Sequence, residues 1–227
     1  MNMAKMGGEY FLITNFKTYN EASGVKAQEL YDLHVQAARQ FPHVKVCVAV
    51  SALDLVGLVK QPEVLVLAQH IDPVGAGSFT GKINPERVAE LGAYGVILNH
   101  SEYRLDRDLL CRTIMSAKNN GLKTFVCCET AEEGWSFLDL EPDFLAVEPP
   151  ELIGGDISVS KAQADVIKNA LQLIGSDRLL VGAGVKDRED VRLAVEYGAR
   201  GVLLASGVCK AADPYAALLD LLGGFPG

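Results

Sequence analysis

Five short segments of this chain place reactive side chains or bare backbone at the end of an apolar run. In NFKTY, Asn15 and Lys17 set an amide and a cation two residues apart on one side of a strand end, a pair that can hold an anion; the plainer reading is a solvated lysine. In NHSEYR, His100 follows the run GVIL and precedes a helix expected to begin near Ser101. Unpaired N–H groups at a helix start lower an imidazole pKa, and a neutral ring can donate a hydrogen bond to a carbonyl oxygen without first losing a proton. A histidine that only packs or caps there is the alternative. Glu102 and Arg104 read as charges of the first helical turn.

Glu148 closes the run DFLAV and is followed by PPELIGG. A carboxylate leaving a buried strand has either a partner or a purpose. Pro149 and Pro150 fix φ, and Gly154 with Gly155 restores freedom, which suits a hinged flap over 149–156. The competing reading is a structural ion pair with Arg or Lys. Finally, Gly182, Ala183 and Gly184 in GAG, and Ala205, Ser206 and Gly207 in ASG, let backbone N–H groups approach an anion; tight turns need the same residues.

These segments need a scaffold that gathers them. Eight β-branched-rich runs, at 10–14, 44–50, 64–68, 95–98, 123–128, 143–148, 178–183 and 200–205, do not alternate apolar with polar. That pattern predicts strands buried on both faces, as in a parallel sheet covered by crossover helices. Amphipathic stretches at 25–41, 106–121, 160–175 and 187–199 lie between them, with Ser160 and Asp187 as N-caps and Gly121, Gly175 and Gly198 at C-termini. At about 28 residues per strand–helix unit, a closed (β/α)8 TIM barrel is feasible with trimmed helices and short loops. An open doubly wound sheet shows the same alternation. In a barrel, all five segments fall at the C-terminal ends of strands, where such folds carry their sites. No linker or low-complexity tract divides the chain, so 1–227 reads as one domain.

Composition excludes several classes. The net charge of −8 repels nucleic-acid backbones and anionic lipid, so neither nucleic acid nor membrane is an expected partner. No apolar run reaches the ~18 residues of a membrane span and the N-terminus carries no signal-peptide pattern, which points to a soluble cytoplasmic protein. Cys47, Cys111, Cys127, Cys128 and Cys209 lack CxxC spacing and read as buried thiols rather than metal or redox groups, adjacent Cys127 and Cys128 facing opposite ways.

Taken in order, NFK, NHSE, EPPELIG, GAG and LLASG resemble the triosephosphate isomerase family, in its shorter archaeal-type branch, over residues 12 to about 215. The acid–base pattern of that family is well known. The resemblance implies that Glu148 is the base and His100 the electrophile, and that Lys17 with Asn15 holds and polarises the substrate. It implies a phosphate grip from Ile153, Gly184, Ala205 and Ser206, largely through N–H groups, with Glu102 supporting the site and 149–156 as the flap. The implied reaction interconverts dihydroxyacetone phosphate and D-glyceraldehyde 3-phosphate through an enediolate, in glycolysis and gluconeogenesis, with neither metal nor organic cofactor. The implied partners are a triose phosphate and further copies of the chain, as a tetramer or alternatively a dimer.

Tyr103 departs from the common HSERR pattern, a change expected to touch a subunit contact, and the loop after strand seven is GAGV rather than the bacterial-type glycine–serine loop. Another phosphate-gripping barrel would need a Schiff-base lysine or paired aspartates, which these motifs fit poorly. A non-catalytic sugar-phosphate binder would not need a base beside an electrophile.

Overall fold

The structure, a computed structural model, describes residues 9–58, 61–148 and 161–227. Its eight strands fall on the eight predicted runs: β1 Tyr10–Asn15, β2 Val44–Val50, β3 Val64–Ala68, β4 Gly95–Leu98, β5 Lys123–Cys128, β6 Phe144–Val147, β7 Leu179–Val181 and β8 Gly201–Leu204. All pair in parallel with their neighbours in sequence, and β1 also pairs with β8. That last pairing closes the barrel and excludes the open sheet.

The uninterrupted apolar runs are explained by two buried surfaces. Phe11, Ile13, Cys47, Ala49, Leu67, Ile97, Phe125, Cys127, Ala146, Leu180 and Leu203 meet inside the barrel. The residues between them, such as Leu12, Val46, Val48 and Cys128, pack beneath the helices. Cys127 and Cys128 therefore do face opposite ways. Near the N-terminal end of the barrel the interior is filled by aromatic rings, Phe125 stacking on Phe144 at 4.9 Å and Phe11 meeting Phe144 at 4.8 Å. Packed aromatics leave a ligand only the other end of the barrel.

The covering helices are α1 Val25–Gln40, α2 Leu55–Leu58, α3 Pro85–Glu90, α4 Arg107–Asn119, α5 Ala131–Ser136, α6 Lys161–Ile174, α7 Arg188–Glu196, α8 Ser206–Cys209 and α9 Pro214–Leu222. The expected trimming falls on α2, α3, α5 and α8, of four to six residues each. Asp187 caps α7 by accepting from the N–H of Asp190 at 3.0 Å. Gly121, Gly175 and Gly198 adopt φ of 74°, 92° and 105° where their helices end, a backbone region that favours glycine. Ser160, the expected cap of α6, lies outside the described residues.

The segment after His100 corrects one expectation. No helix begins near Ser101: residues 101–106 form a turn and extended chain, and α4 starts at Arg107 with Asp106 as its cap, accepting from Leu109 N–H at 2.8 Å. The reason is Asn99. Its φ of 59° reverses the chain as it leaves β4, and its buried side chain accepts from Leu105 N–H at 2.9 Å while donating to the Cys127 carbonyl at 2.9 Å. A loop pinned at both ends in this way cannot continue directly into a helix.

Candidate active site

A cavity of roughly 450 Å³ opens at the C-terminal rim, within the size range of small-molecule sites. Asn15 at the end of β1 and Lys17 beyond it, His100 after β4, Glu148 after β6, the Gly182–Lys186 loop after β7 and Ala205–Gly207 after β8 all line it. Of the predicted site residues, only Ile153 is not placed there; it and the proposed flap 149–156 lie outside the described residues.

Asn15 continues the inward alternation of β1 and is 5% exposed. Lys17 reaches the same side by a different route from simple strand alternation: β1 ends at Asn15, and Lys17 has a left-handed φ of 48°. Asn15 stabilises that turn by accepting from the Lys17 N–H at 3.0 Å. The amide nitrogen of Gln69 lies 3.0 Å from the Lys17 carbonyl, 3.2 Å from the Ala49 carbonyl and 3.3 Å from Asn15 Oδ1. Two amide protons shared among three acceptors tie the ends of β1, β2 and β3 together. Gln69 went unremarked in the sequence, yet it follows Leu65 and Leu67 at the inward parity of β3. The Lys17 ammonium is 2.8 Å from Glu102, so Glu102 is a partner of the site rather than a first-turn charge.

His100 is mostly buried, and its Nδ1 accepts from the Glu102 N–H at 3.1 Å. A neutral ring with an acceptor Nδ1 carries its proton on Nε2. Burial lowers the His100 pKa most, with the Lys17 charge adding to it and Glu102 opposing. The neutral imidazole expected from the sequence therefore has another origin, a dry site beside a cation rather than a helix dipole. His100 Nε2 lies 3.8 Å from Glu148 Oε1, too far for a hydrogen bond. The two groups face a shared space.

Glu148 is 4% exposed, with its backbone N–H bound to the Cys128 carbonyl at 2.8 Å. Burial pushes its pKa up to about 7, although the Cys127 thiol donates a hydrogen bond to it and Lys17 and Arg104 favour its charged form. Cys127 is thus a neighbour of the site that the sequence reading treated only as a buried thiol. Gly182 also has a second use. A Cβ built there would lie 2.4 Å from Glu148 Cγ, so the missing side chain is the space that the carboxylate occupies.

Gly184, with φ of 76°, turns the chain after β7. Ser206 and Gly207 open the short helix α8, and as first-turn groups their N–H donors have no acceptor within that helix. Both residues line the cavity that Glu148 and His100 also line, and N–H groups at a helix start can bind an anion. Arg104 donates to the Asn99 carbonyl and pairs with Glu133, which bolts the His100 loop to α5. Tyr103 is 56% exposed and its ring meets His70 edge-on at 4.6 Å. Among the described residues, no three His, Cys, Asp or Glu side chains are grouped to hold a metal ion, and no helix is long and apolar enough to cross a membrane.

A parallel (β/α)8 barrel whose rim sets a buried carboxylate beside a neutral imidazole and a lysine is an enzyme of the acid–base kind, equipped to move a proton on a small molecule. Comparison with known proteins narrows the class. The family model for triosephosphate isomerase matches residues 10–222. The chain is 43% identical over 225 residues to a triosephosphate isomerase of Archaeoglobus fulgidus, covering 97% of this chain and 99% of that one. It is 39% identical over 219 residues to that of Methanosarcina acetivorans, covering 95% and 98%, and 41% identical over 215 residues to that of Methanothermus fervidus, covering 93% and 96%. The chain belongs to the triosephosphate isomerase family.

Proposed function

We propose that this protein interconverts dihydroxyacetone phosphate and D-glyceraldehyde 3-phosphate, with Glu148 as the base and His100 and Lys17 as the groups that stabilise the enediolate. The observation that carries the reading is the approach of Glu148 Oε1 to His100 Nε2, 3.8 Å apart at one wall of the rim cavity. A substrate seated there can present a C–H to the carboxylate and the adjacent oxygens to the imidazole and the ammonium. Glu148 takes the proton from one carbon, His100 Nε2–H and Lys17 stabilise the oxygen charge that develops, the hydroxyl proton passes to the former carbonyl oxygen by way of His100, and Glu148 protonates the neighbouring carbon. No atom is gained or lost.

A base with its pKa near 7 is partly ionised at neutral pH and still strong enough to take a proton. Asn15 holds Lys17 in its left-handed turn, and so orients its ammonium. The phosphate rests on the N–H groups around Gly184, Ala205 and Ser206; the family resemblance adds Ile153 and a flap over 149–156, which lie outside the described residues. No metal or organic cofactor takes part, since the reaction only relocates protons, and the proton held by Glu148 can exchange with solvent before it is delivered. The same reading carries a cytoplasmic role in glycolysis and gluconeogenesis, with no membrane or nucleic-acid partner.

We also propose a homo-oligomer, a tetramer or a dimer. Leu53 at 93% exposure, Val56 at 57% and Phe79 at 55% support it, because side chains this apolar are commonly covered by a partner. The test of the activity is purified protein with D-glyceraldehyde 3-phosphate in deuterated water. Dihydroxyacetone phosphate carrying solvent deuterium on the carbon that received the proton is expected. Absence of any turnover would sink the assignment, and light scattering giving a monomer mass would sink the assembly.

A further inference from the structure

The chain carries a net charge of −8, so a phosphate dianion approaches against the average field and depends on local positive charge at the cavity. Three lysines stand near it, in different circumstances. Lys17 has Glu102 2.8 Å from its ammonium. Lys210 places its ammonium 4.1 Å from the ring centroid of Tyr19, itself a lining residue. Lys186 lines the cavity and is exposed, and its ammonium has no hydrogen-bond or ion-pair partner among the described residues.

Its position adds to this. Lys186 follows Gly184 by two residues and lines the same cavity as Gly184, Ala205 and Ser206, the small residues of the β7 and β8 loops. Its own N–H donates to Asp190 Oδ2 at 2.8 Å. That bond anchors the backbone to the start of α7 and removes its amide from service to a ligand. What remains is the side chain, a charge on a flexible stem at the cavity with no partner among the described residues.

We propose that Lys186 determines the charge selectivity of the site, its ammonium joining the N–H groups of Gly184 and Ser206 to favour a phosphate dianion over a singly charged or neutral tail. The proposal rests on the isomerase reading for the identity of the substrate. Because the lysine is exposed, its contribution is screened by salt and is felt in binding more than in chemistry. Lys17, by contrast, stands against the reacting end and shares its charge with a carboxylate.

The experiment compares wild type with Lys186→Met and Lys186→Arg at salt from about 10 mM to about 300 mM, a range over which exposed charges go from felt to screened. Three quantities are read: KM against kcat for D-glyceraldehyde 3-phosphate, the inhibition constant of inorganic phosphate, and kcat/KM for unphosphorylated D-glyceraldehyde. In Lys186→Met at low salt, KM and the phosphate constant are expected to rise about three- to tenfold, the gap closing as salt is added. The arginine variant restores both, and turnover of D-glyceraldehyde changes far less. An unchanged phosphate constant at low salt, or an equal loss with D-glyceraldehyde, overturns the proposal. Wild type inactive on triose phosphate would overturn the isomerase reading instead, while calorimetric titration of inorganic phosphate into wild type and Lys186→Met would still decide the role of Lys186.

Discussion

The four-residue strand β6 is bracketed by two acidic residues, Asp143 before it and Glu148 after it, and the barrel treats them in opposite ways. Both lose water on folding. Asp143 recovers what burial costs: Lys123 Nζ lies at 2.7 Å, and the Thr124 N–H and hydroxyl at 2.9 and 3.0 Å. Burial raises its pKa, but these donors together outweigh that and hold it below the ordinary carboxylate value. Glu148 has the Cys127 thiol, a weak donor, and more distant cations, so burial prevails and the pKa rises to about 7. The N-terminal end of the barrel uses an acid for stability. The C-terminal end keeps one undersatisfied, at a cost in stability, the condition that the proposed role as a base needs.

The strongest way to break this contrast is Glu148→Gln. Turnover should fall at least ~10²-fold, while the variant unfolds at a higher temperature than wild type at pH 8. The sign follows from linkage: the folded state holds the Glu148 proton up to about 7 against an ordinary 4.5, so its stabilising effect is complete below 4.5 and is lost as pH rises to 7. Glutamine escapes that loss, a gain of up to about 3 kcal/mol that disappears below pH 4.5. Thermal melts across that range check it, and equal melting temperatures at pH 8 would refute the account of Glu148 as a group held under strain by burial.

Gly182→Ala comes next. The added methyl must displace Glu148 from its seat, so kcat is expected to drop about tenfold or more, a misplacement effect. The displaced carboxylate moves toward water, and the acid limb of kcat/KM shifts from near 7 to lower pH. A profile unmoved from wild type would show that Gly182 does not shape the base.

The smallest expected effect belongs to Asp143→Asn. At pH 7 the variant should lose about 1–2 kcal/mol of stability, the scale of a charge-assisted hydrogen bond, with kcat unchanged. Its pKa is lowered in the fold, so wild type keeps this advantage above the usual carboxylate value and loses it as pH falls through the lowered one. Denaturant titrations at pH 7 and pH 3 read the difference; activity lost along with stability would show the two ends to be coupled.

Much of this was legible in the chain. Eight apolar runs indicated eight strands because a strand buried on both faces can contain little else. The small residues of GAG and ASG, and the carboxylate emerging from DFLAV, marked the rim. The environment of His100 was not legible. A helix start was a reasonable reading of NHSEYRLDRD, but the bonds from Asn99 to Leu105 and to a neighbouring strand settle the loop, and the second of these partners is 28 positions away. Gln69 and Asn99 were overlooked for a related reason. An amide at a strand end says nothing of the carbonyls that its neighbours will bring.

The buried histidines show the boundary again. His34 and His100 are similar in type, and burial is the first cause lowering the pKa of each, to about 4 for His34. His34 meets the Leu30 carbonyl with one nitrogen and the Thr14 hydroxyl with the other, and so has nothing left to offer a ligand. His100 has one nitrogen satisfied and the other facing an open cavity. The sequence by itself determined the number and order of the strands, the rim segments and the identity of the reactive groups, because these depend on local hydrophobic pattern and on chemistry carried by single residues. Only the tertiary structure decided which of those groups are satisfied and which are left poised, because hydrogen-bond partners and exclusion of water come from segments far apart in the chain.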